Sequence, residues 1–202
     1  VYENDVLTRA ATRGNGVQGE EMTANARSLK SIPWKAAFKK MGIVKAELRG
    51  EALIRKENFK KVNQTRLDDG LVAFANARNA ATGGLRTKDP NETAKRGIEA
   101  VIYQVGHLED KNGLEVKKFD QHADGIHALE TLGFKVPTIE FKVCSGIDDV
   151  IHFVKEWEIK RDEFYYEIDG MVVKVNEIAM QETCGYTSHH PRWAIAFKFK
   201  AK

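Results

Sequence analysis

Apolar and polar residues alternate along several stretches of the chain, which is the period expected of β-strands. This alternation predicts strands near residues 6–12, 43–54, 98–108, 139–143, 165–176 and 193–200. Other stretches have apolar residues at helical spacing, around residues 19–29, 56–65, 89–95 and 120–132. The strands and helices do not alternate regularly as βαβ units. The pattern therefore predicts an α+β fold with mainly antiparallel sheets flanked by helices.

The clearest helical signal follows Ser145, a residue type that favours the N-cap position. Two aspartates lie in the first turn, where the helix dipole favours negative charge. The apolar positions at helical spacing are Ile147, Val150, Ile151 and Val154. These features predict an amphipathic helix that follows Ser145 as its N-cap.

Two predicted strands near the end of the chain each carry a lysine among small or apolar neighbours. Because side chains alternate along a strand, Lys174 shares a face with Gly170 and Val172, and Lys198 shares a face with Ala194 and Ala196. The opposite face of the second strand is apolar, with Trp193, Ile195, Phe197 and Phe199. A compact ammonium with space around it suits a phosphate. The residues alone support a phosphate site and a solvated strand face equally.

Composition narrows the class of protein. The chain has 202 residues, is 42% hydrophobic, and carries a net charge of +3, which permits nucleic-acid contact without arguing for it. Its two cysteines, Cys144 and Cys184, form no zinc-binding pair and fit a reducing cytosol. No apolar run approaches membrane length. The start of the chain looks like a hairpin with Glu3-Asn4-Asp5 as its turn, so we expect that the N-terminus has been cut off.

Two polar segments could approach a ligand. Thr12–Glu20 is a loop punctuated by glycines, with Arg13 at its entrance. By itself it is best explained as a surface turn, although glycines allow close approach of backbone to a ligand. Glu47, Arg49 and Glu51 share one strand face. They form either a solvated charge ladder or the wall of a cleft that binds ribose hydroxyls or hydrated Mg²⁺.

The segment Phe74–Arg86 is less ordinary. Arg78 and Arg86 flank a run of small residues, and arginines can hold phosphate through two hydrogen bonds. An Ala-rich helix that ends at Gly83 explains the small residues but not the arginines. Tyr103 lies in an apolar strand, where a core position is the simpler interpretation and stacking on a base is the alternative.

Taken together, these segments resemble the adenylation domain of bacterial NAD⁺-dependent DNA ligases. The matching segments occur in the family's order and at its spacing: Thr12–Gly14 with Gly19–Glu20, Glu47–Glu51, Phe74–Arg86, Asp169–Lys174 and Pro191–Phe199. The resemblance covers residues 1–202 as one domain fragment with the nucleotidyltransferase fold. The Phe74–Arg86 segment and the final segment are specific to the NAD⁺-using branch, whereas Asp-Gly-x-Val-x-Lys is shared with ATP-dependent ligases and capping enzymes.

The resemblance implies a role for individual residues. The positions that contact the adenylate are Arg13, Glu51, Lys174 and Lys198. Arg78 and Arg86 match arginines important for nucleotide and nick chemistry, Tyr103 matches an aromatic near the adenine, and Asp169 matches the carboxylate before the lysine-bearing strand. Lys174, Lys198 and Arg86 would support catalysis. Any Mg²⁺ would be held through Glu51 or Asp169.

The resemblance also implies that the nucleophile is missing. The family's nucleophilic lysine lies in a Lys-x-Asp-Gly motif just upstream of the hairpin, and the first lysine here is Lys30. Glu167-Ile168-Asp169-Gly170 has the same shape but belongs to the later strand. The module that grips nicotinamide is also absent, and an OB-fold would begin near Lys202. We therefore expect the fragment to be inactive alone.

Four residues depart from the family's usual choices without removing a charged site residue. Asn15, Ala77, Gly84 and Lys200 stand where Asp, Pro, Ser and Pro are more common. The loop pair His189-His190 is better explained as exposed histidines than as a metal site, because no acidic partner has suitable spacing.

The implied parent enzyme transfers AMP from NAD⁺ to a lysine, then to a DNA 5′-phosphate, and finally seals the nick to the 3′-hydroxyl. Its implied cofactors are NAD⁺ and Mg²⁺, and its partner is nicked duplex DNA. The expected protein is cytoplasmic, not membrane-bound, and monomeric. Two alternatives are an ATP-dependent ligase or capping-type nucleotidyltransferase, and a non-catalytic nucleotide- or DNA-binding remnant.

Overall fold

The computed structural model describes residues 1–14, 18–188 and 190–200. The strands are β1 (Tyr2–Glu3), β2 (Val6–Leu7), β3 (Lys45–Ile54), β4 (Ile98–Glu109), β5 (Gly170–Lys174) and β6 (Ala194–Lys198). The α-helices are α1 (Thr23–Arg27), α2 (Lys56–Asp68), α3 (Ala77–Leu85), α4 (Pro90–Lys95), α5 (His122–Thr131), α6 (Ile147–Lys160) and α7 (Ile178–Cys184). A short 3₁₀ helix covers Phe38–Met41. All paired strands are antiparallel, which confirms the predicted α+β class.

The first two strands form the predicted hairpin. Its turn is Asn4-Asp5, with φ angles of 52° and 72°. Two successive left-handed residues match the twist of a tight hairpin, and Asn and Asp tolerate that conformation better than most residues. The Asp5 carboxylate accepts a hydrogen bond of 2.8 Å from the Lys39 amide, which fixes the turn against the 3₁₀ helix.

The long strands β3 and β4 form most of a four-stranded sheet with the order β2-β1-β3-β4, in which β4 lies at one edge. One face of this sheet carries Ala46 and Ile102, which pack with Phe38 in the main hydrophobic core. The other face presents Arg49 and Glu51, both exposed. The predicted division of β3 into an apolar face and a charged face is therefore confirmed.

A second sheet consists of β5 and β6. Met171 and Val173 on one face pack against the core around Trp157, beneath α6. The predicted apolar face of the last strand is only partly covered, because Ile195 is 69% exposed and Phe197 is 45% exposed. Its two ends, Trp193 and Phe199, are buried.

Several predicted elements were wrong or too long. No strand forms at 139–143, where the Phe141 amide donates to the Thr138 carbonyl in a turn. The strand predicted over 165–176 is confined to β5, because the aromatic residues before it pack into the core instead of joining a ladder. The strand predicted over 6–12 is only β2, and the helix over 19–29 is only α1. The helix α7 was not predicted from the apolar spacing.

The helix after Ser145 is confirmed as α6, but its N-cap is Gly146. The Ser145 backbone amide instead donates a hydrogen bond of 3.3 Å to the Asp149 carboxylate. The carboxylate therefore satisfies an amide just outside the helix. The predicted hydroxyl cap is replaced by a side chain from the first helical turn.

A charged cluster ties the large sheet to the segment before β5. Its centre is Glu99, whose carboxylate accepts hydrogen bonds from Arg55 at 2.9 Å, Lys135 at 2.6 Å and the Tyr166 hydroxyl at 2.5 Å. Burial alone would raise the pKa of Glu99, but these hydrogen bonds outweigh burial and lower the pKa to about 2. The charged form of Glu99 therefore stabilises the fold.

We expect Glu99→Gln to lower the free energy of unfolding at neutral pH by about 2–3 kcal/mol, because three donors lose their anionic acceptor. In the wild type, the stabilisation from Glu99 is complete above its ordinary pKa of 4.5 and is lost as the pH falls towards about 2. Urea unfolding at pH 7 and pH 3 checks this. The difference between variant and wild type must shrink at pH 3, and an equal difference at both pH values would contradict this explanation.

Candidate functional site

The two predicted site lysines lie on the same face of the β5–β6 sheet. Lys174 is opposite Ala194, and Lys198 is opposite Gly170. Directly paired residues of antiparallel strands share a face, so both ammonium groups project from one surface, at opposite ends of the ladder. Val172 and Ala196 pair between them. Gly170 and Ala196 are small and leave the surface open around Lys198.

Gly170 permits an unusually close approach of the two strands. A Cβ atom at this position would lie 2.1 Å from the Phe197 carbonyl oxygen and 3.0 Å from the Lys198 Cα. Those atoms belong to the backbone, so no rotamer change could relieve the overlap. Glycine at this position therefore sets the position of the strand that carries Lys198.

Lys198 pairs with Asp169, which directly precedes β5. The ammonium lies 2.7 Å from the carboxylate, and the side chains are 64% and 80% exposed. The hydrogen bond from Lys198 lowers the pKa of Asp169. An exposed pair of this kind adds little to stability, so Lys198 can exchange its partner for a ligand anion at low cost.

Arg78 extends this charged surface from another element. It lies in the first turn of α3, where the Asn76 side chain caps the helix by accepting from the Asn79 amide. Its guanidinium is 3.5 Å from the Glu51 carboxylate, and its charge also favours the ionised form of Asp169. The structure thus brings Glu51, Arg78, Asp169 and Lys198 together along one rim.

A small-residue face of α3 determines where Arg78 lies. Ala77, Ala80 and Ala81 are buried against Ile54 at the end of β3. The Ala77 amide also donates to the Glu167 carboxylate at 3.2 Å. The Ala-rich helix expected from the sequence therefore forms as α3. Its small residues allow it to pack closely on the sheet that supports the site.

Lys174 has very different surroundings from Lys198. Its ammonium lies 5.0 Å from the centre of the Tyr103 ring and 3.5 Å from His122 Nε2. Burial, followed by repulsion from Arg49, lowers the pKa of Lys174 to about 8. Within the described residues it forms no ion pair. A partly buried cation without an anion is costly unless a ligand supplies one.

Tyr103 owes its place in the site to a β-bulge. Arg49 pairs with Gln104 and Gly50 pairs with Ile102, so Tyr103 is an extra residue on β4. Bulges redirect side chains and often occur beside functional sites. The ring is partly exposed rather than buried in the core. Of the two interpretations that the sequence left open, an aromatic at the edge of the site fits this position better.

The remaining two predicted arginines lie elsewhere. Arg86, at the C-terminal end of α3, pairs with Glu20 at 2.7 Å. It is about 12 Å along the helix from Arg78, so the structure does not bring the two arginines into one clamp. Arg13 is exposed on the same loop as Glu20. Asn15, Gly16 and Val17, which complete this loop, lie outside the described residues.

His122 was missed by the reasoning from sequence. It is the first residue of α5, and its amide donates to the Asn176 carbonyl at 2.7 Å. The Asn176 side chain also accepts from the Ala123 amide at 3.0 Å. The segment after β5 thus caps α5 and brings His122 beside Lys174. This contact spans 52 positions, and local apolar spacing carries no signal of it.

Neither a metal-binding cluster nor a membrane-spanning helix occurs among the described residues. They contain no group of three or more His, Cys, Asp or Glu side chains placed to hold a metal ion. His189, one member of the histidine pair predicted to be exposed, lies outside the described residues. In the same residues, none of the helices has both the length and the apolar character needed to span a bilayer.

Comparison with known proteins agrees with the family resemblance of the sequence segments. Residues 1–202 match the NAD-dependent DNA ligase adenylation domain family. The chain is 54% identical over 203 residues to a DNA ligase of Sulfurihydrogenibium azorense, and 52% identical over 202 residues to a DNA ligase of Aquifex aeolicus. It is also 42% identical over 201 residues to a DNA ligase of Clostridioides difficile. Each alignment covers the whole chain but only 28–29% of the relative.

Proposed function

Because the chain belongs to the NAD-dependent DNA ligase adenylation domain family, we propose that it forms most of the AMP pocket of a nick-sealing enzyme. The enzyme transfers AMP from NAD⁺ to one of its own lysines, passes AMP to a DNA 5′-phosphate, and joins that end to a 3′-hydroxyl. Nicked duplex DNA is its partner. The enzyme acts as a monomer in the cytoplasm, where the free thiols of Cys144 and Cys184 would persist.

The observation that carries this proposal is the unpaired ammonium of Lys174. It is partly buried beside Tyr103, the neighbouring charge that lowers its pKa is the cation of Arg49, and it has no ion-pair partner among the described residues. A nucleotide phosphate would supply the missing negative charge, and Tyr103 would contact the base. Such preorganised cations stabilise the charge that gathers on phosphorus oxygens during AMP transfer.

Lys198, Arg78 and Glu51 complete the proposed pocket. Lys198 would leave Asp169 to contact the adenylate, since their pairing is exposed. Arg78 would approach from α3, and Glu51 would accept hydrogen bonds from ribose hydroxyls. Arg13 and Arg86 would act at the far end of α3, towards the nick.

Lys174 is proposed to bind AMP and not to carry it. With its pKa at about 8, Lys174 is still mostly an ammonium at neutral pH. Positive charge suits a phosphate-binding role instead. The covalent lysine is proposed to be a different residue, in a Lys-x-Asp-Gly motif.

Mg²⁺ is proposed as the second cofactor. Either Glu51 or Asp169 would hold it, because both carboxylates are exposed and Asp169 is released when Lys198 contacts the adenylate. One carboxylate suffices, since Mg²⁺ usually keeps several waters and binds substrate phosphate. When bound, the ion would neutralise phosphate charge.

The choice of nucleotide tests the proposed function. We expect the full-length enzyme to become covalently labelled with AMP when it is mixed with radiolabelled NAD⁺, and to remain unlabelled with radiolabelled ATP. The labelled enzyme should then join nicked DNA. Transfer of AMP from ATP alone would instead establish an ATP-dependent ligase or a capping-type enzyme. Tight nucleotide binding with no covalent AMP from either donor would establish a non-catalytic binding module.

A further inference from the structure

His122 lies at the junction of three elements of the proposed pocket. It begins α5, contacts the carbonyl of Tyr103 on β4, and faces Lys174 on β5. Asn176 holds the start of α5 through two hydrogen bonds to the amides of His122 and Ala123. The Tyr103 backbone therefore holds the imidazole itself, and Asn176 holds the start of the helix that carries it.

The hydrogen bonds of the ring determine its chemical form. The Lys174 ammonium can only donate, so Nε2 is the acceptor and the proton of the neutral ring lies on Nδ1, which leaves Nδ1 to donate to the Tyr103 backbone. A neutral imidazole with its proton on Nδ1 has a lone pair on Nε2. That lone pair is directed at Lys174 over 3.5 Å, the outer limit of a hydrogen bond.

We propose that His122 is a positioning residue that holds the Lys174 ammonium in place through Nε2 without cancelling its positive charge. This inference rests on the proposed function of Lys174 as a phosphate-binding residue. A carboxylate at the position of His122 would also hold the lysine, but it would neutralise the charge that the phosphate needs. A neutral acceptor orients the ammonium and leaves its attraction for the phosphate intact.

The surrounding groups keep His122 neutral. Burial, followed by the charge of Lys174, lowers the pKa of His122 to about 4, against the opposing effect of its hydrogen bond to Tyr103. The other charged group that faces Lys174 is Arg49 on β3. Burial and the Lys174 charge both disfavour protonation of the imidazole, so Nε2 remains an acceptor throughout the neutral range.

Two substitutions of His122 separate positioning from packing. In His122→Gln the side-chain amide can donate to Tyr103 and accept from Lys174, whereas His122→Leu does neither. The control is His127→Gln, an exposed histidine on the same helix. The full-length variants are compared by the rate of AMP transfer from NAD⁺ over pH 6–9. The pH midpoint of Lys174 acylation by acetic anhydride is measured in parallel by peptide mass spectrometry.

We expect His122→Leu to slow AMP transfer about tenfold and to move the Lys174 acylation midpoint about one pH unit lower, because the ammonium loses its acceptor. His122→Gln is expected to stay within about threefold of wild type, the size of a weak hydrogen bond's contribution. His127→Gln should match the wild type. An unchanged midpoint and rate in His122→Leu would overturn the proposal.

A measurement on the wild type keeps the proposal testable if His122→Leu does not fold. Nitrogen NMR of labelled histidine is expected to show His122 neutral, with its proton on Nδ1, throughout pH 6–8. A proton on Nε2 would overturn the proposal. If the Lys174 midpoint moves as expected but Lys174→Ala transfers AMP normally, the contact stands and the proposed function of Lys174 fails.

Discussion

Replacing Lys174 by alanine in the full-length enzyme is expected to lower the rate of AMP transfer from NAD⁺ by about a hundredfold to a thousandfold, the usual effect of removing one preorganised electrostatic contact. Nick sealing should fall to background. The free energy of unfolding should not decrease, because Lys174 is a partly buried cation without an anionic partner. Single-turnover AMP transfer and urea unfolding measure the two effects separately.

Lys198→Ala is expected to abolish sealing in the same way and to leave the fold intact, because its ion pair with Asp169 is exposed. Lys118→Ala is a suitable control, since Lys118 is exposed and remote in sequence from both strands. Wild-type joining rates in either site variant would refute the assignment of these lysines. A loss of activity in Lys118→Ala as well would indicate a general effect of net charge on DNA binding.

The second large effect is expected from Gly170→Ala, a change of one methyl group. The new Cβ would be 2.1 Å from the Phe197 carbonyl oxygen, so β5 and β6 must separate or shift. We expect a loss of about 3 kcal/mol of unfolding free energy, the upper range for overpacking, together with loss of AMP transfer because Lys198 moves with its strand. Thermal unfolding and single-turnover kinetics test this together.

Gly146→Ala provides the matched control. Gly146 has an extended φ of 178°, and a Cβ there would meet no atom within 4 Å. We expect its stability and AMP transfer to remain at the wild-type level. Equal behaviour of the two alanine variants would contradict the view that close strand approach at Gly170 positions Lys198.

Local sequence patterns predicted the sheet faces well because strand alternation depends only on neighbouring residues. The charged face of β3 follows from that period, whereas the shared face of Lys174 and Lys198 depends on the register between β5 and β6. The lengths of strands were predicted less well. The 139–143 segment alternates like a strand but finds no partner strand, and pairing depends on residues far away in sequence.

The composition of the site could be predicted only in part, for a related reason. The family resemblance pointed to Lys174 and Tyr103 as site residues. It did not reveal the bulge that turns Tyr103 towards the lysine. It also gave no indication of His122, whose place is determined by a cap from Asn176. Both features arise from tertiary contacts between distant segments, which single-sequence periodicity does not report.

The central claim is that Lys174 and Lys198 hold the adenylate while another lysine carries it. The most direct test is to label the full-length enzyme with NAD⁺, digest it, and map the AMP-bearing peptide by mass spectrometry. We predict AMP on a lysine within a Lys-x-Asp-Gly motif and unmodified peptides for Lys174 and Lys198. AMP attached to either of those two lysines would contradict the claim.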